Sequence, residues 1–164
     1  MPSNCHQIHL LLGGNIGKVQ ATFLSARDRL NTELGTISKI SSIYQTAAWG
    51  VTDQPDFLNQ VIVLYSSLPP QQVLEKTMSI EIELGRKRHE KWSARTIDID
   101  ILFYDDQIIQ SENLKIPHPE IPNRRFTLTP LVEIAPDFIH PTLQKTMSSL
   151  LLETTDKLNV QKLN

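Results

Sequence analysis

Residues 95–103 alternate apolar and acidic side chains, which is the pattern of a half-buried β-strand. The apolar side chains of this strand are predicted to fill a core on one face: Ile97, Ile99, Ile101 and Phe103. Asp98 and Asp100 are then neighbours on the opposite face, where two carboxylates repel each other unless a cation lies beside them. Hard oxygen ligands of this kind suit Mg²⁺. The segment alone is equally compatible with a solvated strand face that carries two acids.

A basic segment precedes this strand. Residues 85–95 hold five of the sixteen Lys and Arg residues and show no apolar periodicity, which predicts a loop. A cationic loop beside a metal-binding acid pair suits a polyphosphate, because arginines bind the oxygens that the metal leaves uncovered. The formal net charge of −2 and the lack of a second basic run favour such a local anion site over a nucleic-acid groove.

Length and composition bound the remaining possibilities. At 164 residues, with 40% hydrophobic and 21% charged residues, the sequence predicts a single domain over residues 1–164 with a proper core. The single cysteine, Cys5, excludes an internal disulfide and a zinc-binding thiolate cluster. No apolar run reaches membrane-spanning length and no signal pattern opens the sequence. We therefore expect a cytoplasmic enzyme or binding domain without a membrane or nucleic-acid partner.

The order of predicted elements indicates the fold. Strands are predicted at residues 8–12, 36–46, 61–65 and 95–103, with helices over 19–34 and from Pro69 to 84. The order β-α-β-β-α-β predicts an α+β fold, the ferredoxin-like sandwich in which helices pack on one face of an antiparallel sheet. The last third is rich in proline, with a small strand pair at 108–109 and 114–116 and short helices at 128–134 and 147–152. We expect it to be an extension wrapped over the same core.

A glycine-rich segment at residues 13–18 resembles a phosphate-binding P-loop only partly. The spacing to Gly17 and Lys18 is one residue short, and Val19 stands where Ser or Thr would contact Mg²⁺. A tight strand-to-helix turn is the better interpretation, although glycine there also lets a ligand approach the backbone.

Two further residues are unusual for their positions. Glu81 shares the apolar stripe of its helix with Leu74 and Met78, so its carboxylate needs a partner, and an ion pair and a ligand contact are equally plausible. His118 lies between two prolines that hold the backbone extended. A histidine in such a loop is by itself more often structural than functional.

Four motifs in this order resemble the 6-hydroxymethyl-7,8-dihydropterin pyrophosphokinase family of folate biosynthesis. The motifs are Gln-Pro-Asp-Phe-Leu-Asn at 54–59, Glu81 with Leu-Gly-Arg at 84–86, Arg-Thr-Ile-Asp-Ile-Asp at 95–100, and Pro-His-Pro at 117–119 followed by Asn-Arg-Arg-Phe at 123–126. The resemblance covers nearly the whole chain and implies the same ferredoxin-like fold. It also implies transfer of pyrophosphate from ATP to the 6-hydroxymethyl group of the pterin, with release of AMP.

The resemblance assigns roles to individual residues. Two Mg²⁺ ions would be held by Asp98 and Asp100. The implied catalytic residues are Arg86, Arg95, Asp98 and Asp100. The implied ATP-binding residues are Glu81, Arg86, Trp92, Arg95, Ile101, His118 and Arg124. The implied pterin-binding residues are Thr46, Ala47, Trp49, Phe57, Asn59, Trp92 and Phe126. Whether Arg88 and His89 contact a ligand is left open.

Two other classes of protein remain as alternatives. A nucleotidyltransferase also combines a glycine-rich turn with an Asp-x-Asp strand, but its turn lies close before the acid pair, whereas here about eighty residues separate them. A ferredoxin-like nucleic-acid-binding module would expose aromatic side chains on its sheet face, where this sequence places Asp98 and Asp100. Product identity separates the first alternative, because a nucleotidyltransferase releases pyrophosphate instead of AMP.

Overall fold

The computed structural model describes residues 4–47, 54–85 and 96–163, and within them an antiparallel sheet lies between two layers of helices. The strands are β1 (His6–Gly14), β2 (Thr36–Ile40), β3 (Tyr44–Thr46), β4 (Phe57–Ser66), β5 (Asp98–Tyr104), β6 (Ile109–Gln110), β7 (Lys115–Ile116) and β8 (Val160–Lys162). The helices are α1 (Val19–Glu33), α2 (Pro70–Glu83), α3 (Arg125–Ile134) and α4 (Met147–Glu153), with a 3₁₀ turn at Ile121–Asn123. The main sheet has the order β5-β1-β4-β3-β8, with β2 also paired to β4, and β6 and β7 form a separate pair.

The first core lies between the sheet and the pair α1 and α2. It contains alternate residues of β1 together with the apolar stripe of α1: Ile8, Leu10, Leu12, Phe23, Ala26 and Leu30. Because β2 and β3 together occupy the place of one predicted strand, the order β-α-β-β-α-β is confirmed, as is the α+β class with its antiparallel sheet.

The second core lies on the opposite face of the sheet, under α3 and α4. Leu11, Val61 and Phe103 from the sheet pack there against the last third of the chain, which supplies Ile121, Leu128, Leu131, Met147 and Leu150. The expectation that this extension wraps over the first core is wrong. The apolar side chains on one half of the second sheet face need a cover of their own, and the two short helices provide it.

A β-bulge in β5 changes which side chains face each core. In the pairing with β1, Leu10 lies opposite Ile101 and His9 lies opposite Phe103, so Leu102 is an extra residue. The extra residue reverses the alternation of the strand. Ile101 therefore lies in the first core and Phe103 in the second, and the prediction that they share one face is wrong for Phe103.

The predicted strand over residues 36–46 is interrupted between β2 and β3. Ser41 is buried there, where its backbone N–H donates to the carbonyl of Val61 at 2.9 Å and its Oγ accepts from the Val61 N–H at 2.9 Å. The serine side chain thus replaces one backbone hydrogen bond of the ladder, which ends regular pairing. None of the helices in the described ranges is long and apolar enough to cross a membrane.

Candidate active site

A cavity opens on the second face of the sheet, beyond the half that α3 and α4 cover. The residues lining it are Leu11, Gly13, Thr46, Ala47, Phe57, Asn59, Asp98, Asp100, Arg124 and Phe126. Strands β1, β3, β4 and β5 and the start of α3 all contribute. The bulge in β5 allows one strand to point its acids into this cavity and to bury Phe103 beneath the helices.

The two aspartates of β5 are held by a buried acid on α2. Glu81 is 4% exposed, and its Oε2 accepts a hydrogen bond of 2.7 Å from the backbone N–H of Ile99, the residue between the aspartates. This bond gives the carboxylate on the apolar stripe a backbone partner and ties α2 to the acid pair. Asp98 and Asp100 present carboxylate oxygens from adjacent positions on one face, a donor set that suits Mg²⁺ completed by water and phosphate oxygens.

Two polar atoms in the cavity wall are buried without a hydrogen-bond partner in the described part of the chain. They are Oδ1 of Asn59 and Oγ1 of Thr46, in residues that are 4% and 3% exposed. The amide nitrogen of Asn59, in contrast, donates to the carbonyl of Leu12 at 3.2 Å. Buried polar atoms normally have partners because leaving them unpaired costs free energy. These two atoms therefore indicate a ligand with a polar edge.

Aromatic side chains form two further parts of the wall. Phe57 begins β4 and pairs across the ladder with Thr46, and Phe126 lies in the first turn of α3. The guanidinium carbon of Arg124 lies 5.6 Å from the centre of the Phe126 ring, within cation–π range. Two aromatic rings with a cation beside one of them suit a flat ligand that carries an anionic substituent.

Gly13 makes room for Asn59, its partner in the β1–β4 pairing. A Cβ atom at position 13 would lie 2.8 Å from Nδ2 of Asn59, which is closer than real contacts allow. Sequence reasoning missed Gly13 and Leu11 as cavity residues. Their signal was available, since strict alternation along β1 places both on the face opposite Leu10 and Leu12.

The glycine-rich segment is a strand-to-helix turn, as interpreted from the sequence. β1 ends at Gly14, α1 begins at Val19, and Gly17 has a φ of 74°. Buried Asn15 donates from Nδ2 to Oε1 of Gln54 at 2.9 Å and to the carbonyl of Pro55 at 3.0 Å. The turn thereby fixes the segment that leads into Phe57.

His118 is held beside the acid pair by the bulge. Its backbone N–H donates to the carbonyl of Leu102 at 3.0 Å, and its Nδ1 accepts from the N–H of Glu120 at 3.1 Å. Burial and, next, the positive charge of Arg124 lower the pKa of His118 below its ordinary value. At neutral pH the ring is therefore neutral, with its proton on Nε2 available for donation.

The structure places the predicted residues in three groups. The cavity brings together Thr46, Ala47, Phe57, Asn59, Asp98, Asp100, Arg124 and Phe126. Glu81, His118 and Ile101 are outside its lining, and the Ile101 side chain lies in the first core at 6% exposure. The remaining residues lie outside the described ranges: Trp49, Arg86, Arg88, His89, Trp92 and Arg95.

Comparison with protein families gives a match over most of the chain. Residues 9–136 match the model of the 7,8-dihydro-6-hydroxymethylpterin-pyrophosphokinase family. An Aquifex aeolicus protein is 43% identical over 150 residues, which are 92% of this chain and 93% of that protein. A Synechocystis protein is 40% identical over 92% of this chain and 77% of its own length. Both relatives are named 2-amino-4-hydroxy-6-hydroxymethyldihydropteridine pyrophosphokinase.

Solved structures with a similar fold include those of Plasmodium falciparum HPPK-DHPS. The wild-type structure with pteroate superposes with a TM-score of 0.75 at 18% sequence identity. The superposition covers 91% of this chain and 42% of that chain, so this chain spans less than half the length of the Plasmodium protein. A triple mutant of that protein gives a TM-score of 0.76 over 91% of this chain, also at 18% identity. At such identities the likeness establishes the fold.

Proposed function

The chain belongs to the 7,8-dihydro-6-hydroxymethylpterin-pyrophosphokinase family, and we propose how its cavity carries out pyrophosphoryl transfer. The activity is pyrophosphoryl transfer in folate biosynthesis. In our proposal the terminal two phosphates of ATP move to the 6-hydroxymethyl oxygen of 6-hydroxymethyl-7,8-dihydropterin, and AMP leaves. A nucleotidyltransferase is not favoured, because relatives aligned over 92% of the chain carry the pyrophosphokinase name.

One observation carries the proposal: two aromatic rings that suit a flat polar ligand line the same cavity as a pair of carboxylates. Phe57 and Phe126 are positioned to hold the pterin ring between them. Oδ1 of Asn59, which has no partner among the described residues, would accept a hydrogen bond from an N–H of the ring. The Thr46 hydroxyl would bond a second polar atom of the ring's edge. In the proposed orientation the hydroxymethyl group would face the carboxylates, which line the same cavity.

The acid pair fits the metal that this chemistry uses. Asp98 and Asp100 would hold two Mg²⁺ ions, and when bound these ions neutralise the triphosphate and polarise the phosphorus under attack. Arg124 would bind phosphate oxygens as a fixed cation, and neutral His118 would donate a hydrogen bond from Nε2. Because phosphoryl transfer needs little covalent help from the protein, such positioning and charge supply most of the rate.

The sequence-based roles of the other residues belong to the same proposal. By the family resemblance, Arg86, Arg95 and Trp92 would complete the phosphate and ring contacts, and Trp49 and Ala47 would contact the pterin edge. Glu81 and Ile101 contribute to ATP binding; since the Ile101 side chain is in the core, its contact would use the backbone. Residues 1–164 form one pyrophosphokinase domain that acts in the cytoplasm without nucleic acid or membrane.

Identifying the nucleotide product tests the proposed reaction. Purified chain is incubated with Mg-ATP, with and without 6-hydroxymethyl-7,8-dihydropterin, and the products are separated by chromatography. We expect AMP and pterin diphosphate to form together and only when the pterin is present. ADP would indicate an ordinary kinase, and pyrophosphate would indicate a nucleotidyltransferase; either result refutes the proposal.

Replacing Gly13 with alanine is expected to weaken pterin binding about tenfold, since the new Cβ displaces the Asn59 side chain. Binding of Mg-ATP without pterin is expected to change less than about twofold, which is the size of effect that substitutions away from a site usually have. Isothermal titration measures both constants. In a double-mutant cycle, Gly13→Ala should add little to Asn59→Ala. Fully additive losses would show that Gly13 acts by another route.

A further inference from the structure

Two walls of the cavity are held by the same C-terminal segment. Residues 154–163, here called the tail, run from the end of α4 to the start of α3 and then to the outer edge of β3. The start of α3 carries Arg124 and Phe126, and β3 carries Thr46, all of which line the cavity. The tail lies beyond residues 9–136, where the family match ends.

The first attachment is a cap supplied by Asp156 from outside the helix. Arg124, at the N-cap position of α3, makes no side-chain capping bond, and Oδ2 of Asp156 instead accepts from the Arg125 N–H at 2.9 Å. The Arg125 guanidinium donates back to the carbonyl of Leu158 at 3.1 Å. A carboxylate at a helix N-terminus pairs an unsatisfied N–H and complements the helix dipole. The bonded residue lies between Arg124 and Phe126, so the cap fixes the backbone that aims both side chains.

The tail also organises the Asp156 carboxylate. The Asp156 N–H donates to Oγ1 of Thr154 at 3.3 Å, and Oδ1 of Asp156 accepts from the N–H of Leu158 at 3.0 Å. Both carboxylate oxygens therefore accept hydrogen bonds, one within the tail and one from α3. The bonds within the tail thus fix the orientation of the carboxylate that caps α3.

The second attachment is the pairing of β8 with β3. Val160 lies opposite Thr46, Gln161 opposite Gln45 and Lys162 opposite Tyr44, and the N–H of Leu163 donates to the carbonyl of Ile43 at 2.8 Å. Hydrogen-bonded pairs alternate along an antiparallel ladder, so Gln161 is the next residue whose N–H faces β3. Gln161 is exposed, and its side chain does not contribute to either core.

We propose that the tail is a positioning element of the active site, in which Asp156 and the β8 pairing together set the distance between Phe126 on α3 and Thr46 on β3. The inference rests on the proposed function, because it assigns these two walls to the pterin. Glu133 of α3 also accepts a hydrogen bond from the Tyr44 hydroxyl of β3 at 2.8 Å. Losing either tail attachment therefore loosens the two walls where they line the cavity without separating the elements. Pterin affinity then falls, whereas β5, which carries the carboxylates, keeps the hydrogen bond from the Ile99 N–H to Glu81.

Two pairs of full-length variants test the tail. Asp156→Ala removes the cap, and Asp156→Asn keeps one of the two acceptor oxygens. Gln161→Pro removes the ladder N–H, and Gln161→Ala keeps it at the same exposed position. Pterin dissociation constants are measured by titration, and kcat and both KM values are measured at a temperature where each variant is folded by circular dichroism.

We expect Asp156→Ala and Gln161→Pro each to raise the pterin Kd and KM about five- to tenfold, the size of a lost cap or strand bond. The kcat value and the ATP KM should change far less. Asp156→Asn should raise the pterin constants less than Asp156→Ala does, and Gln161→Ala should resemble the wild type. A merely structural tail would lower the melting temperature without this split between the constants. Folded Gln161→Pro with unchanged pterin affinity overturns the proposal even if Asp156→Ala fails to fold. Wild-type chain that makes no AMP would instead defeat the proposed function itself.

Discussion

Asp100→Asn is expected to lower kcat at least about a thousandfold, which corresponds to a loss of about 4 kcal/mol of transition-state stabilisation. Asp100 lines the cavity two residues from Asp98, and the change removes one of the two carboxylates while keeping the shape of the side chain. Because the isoleucines of β5 pack on the other face, the fold should survive. Steady-state kinetics over a range of Mg²⁺ concentrations measures the loss, and circular dichroism confirms folding.

A carboxylate in the turn after the same strand provides the control. Asp106 is exposed and does not line the cavity, so Asp106→Asn should retain wild-type kinetics. Asp98→Asn is expected to follow Asp100→Asn. An Asp100→Asn enzyme with wild-type turnover and unchanged dependence on Mg²⁺ would remove the acid pair from the proposed mechanism.

Acidification is expected to weaken the fold through His9, which is 1% exposed in the second core. Its ring lies 4.5 Å from that of Phe138 and 5.3 Å from that of Phe103, and its Nδ1 has no partner among the described residues. Burial, and secondarily the charge of Lys39, lower the pKa of His9 from 6.5 to about 4. The unfolded chain therefore binds a proton as the pH falls below 6.5, whereas the folded chain stays neutral until about pH 4.

The difference between the His9 pKa values of the folded and unfolded chain makes the free energy of unfolding depend on pH. Stability is complete above pH 6.5 and declines on acidification, by about 2 kcal/mol at pH 5 and about 3 kcal/mol at pH 4. Urea unfolding at pH 7 and pH 5 measures the free energy of unfolding directly. His9→Leu should remove this part of the pH dependence, with a smaller slope remaining because burial also lowers the pKa values of His118 and His140. Gln7→Leu, in the same strand, should leave the slope unchanged, and an unchanged slope in His9→Leu would contradict the assignment.

Local patterns in the sequence were sufficient to predict the strands and helices that form the first core. The 3.6-residue spacing of α1 and the glycine and proline signals at the helix ends correspond to the observed boundaries. Alternation alone could not reveal the bulge at Leu102, because the extra residue is defined only by its pairing with β1. For the same reason Phe103 was assigned to the wrong face.

The elements after β7, which include α3, α4 and the tail, depend on contacts between distant parts of the chain. Asp156 caps a helix that begins 31 residues earlier, and β8 pairs with a strand more than a hundred residues away. Nothing in the local composition of residues 154–163 specifies those partners, so neither the cap nor β8 was predicted. The acid pair was predicted from its alternation and chemistry, which do not depend on distant partners. Phe57, Phe126 and Asn59 were assigned only through the family resemblance of their motifs, because nothing in their local spacing distinguishes them from core residues.

The bulge at Leu102 reverses the side-chain alternation of β5, so the two halves of the strand face the two cores in opposite order. Its first half is set by the acids that face the cavity, and its second half by Tyr104, which returns to the first core and donates from its hydroxyl to the carbonyl of Leu68 at 2.7 Å. Deleting Leu102 would restore strict alternation and leave both the acids and Tyr104 on the faces they now occupy, while removing the Leu102 side chain from the second core. In a strand of this length without the bulge, Asp98, Asp100 and Tyr104 would share one face because they are even numbers of positions apart. The extra residue is therefore what lets a single strand serve the cavity and the first core.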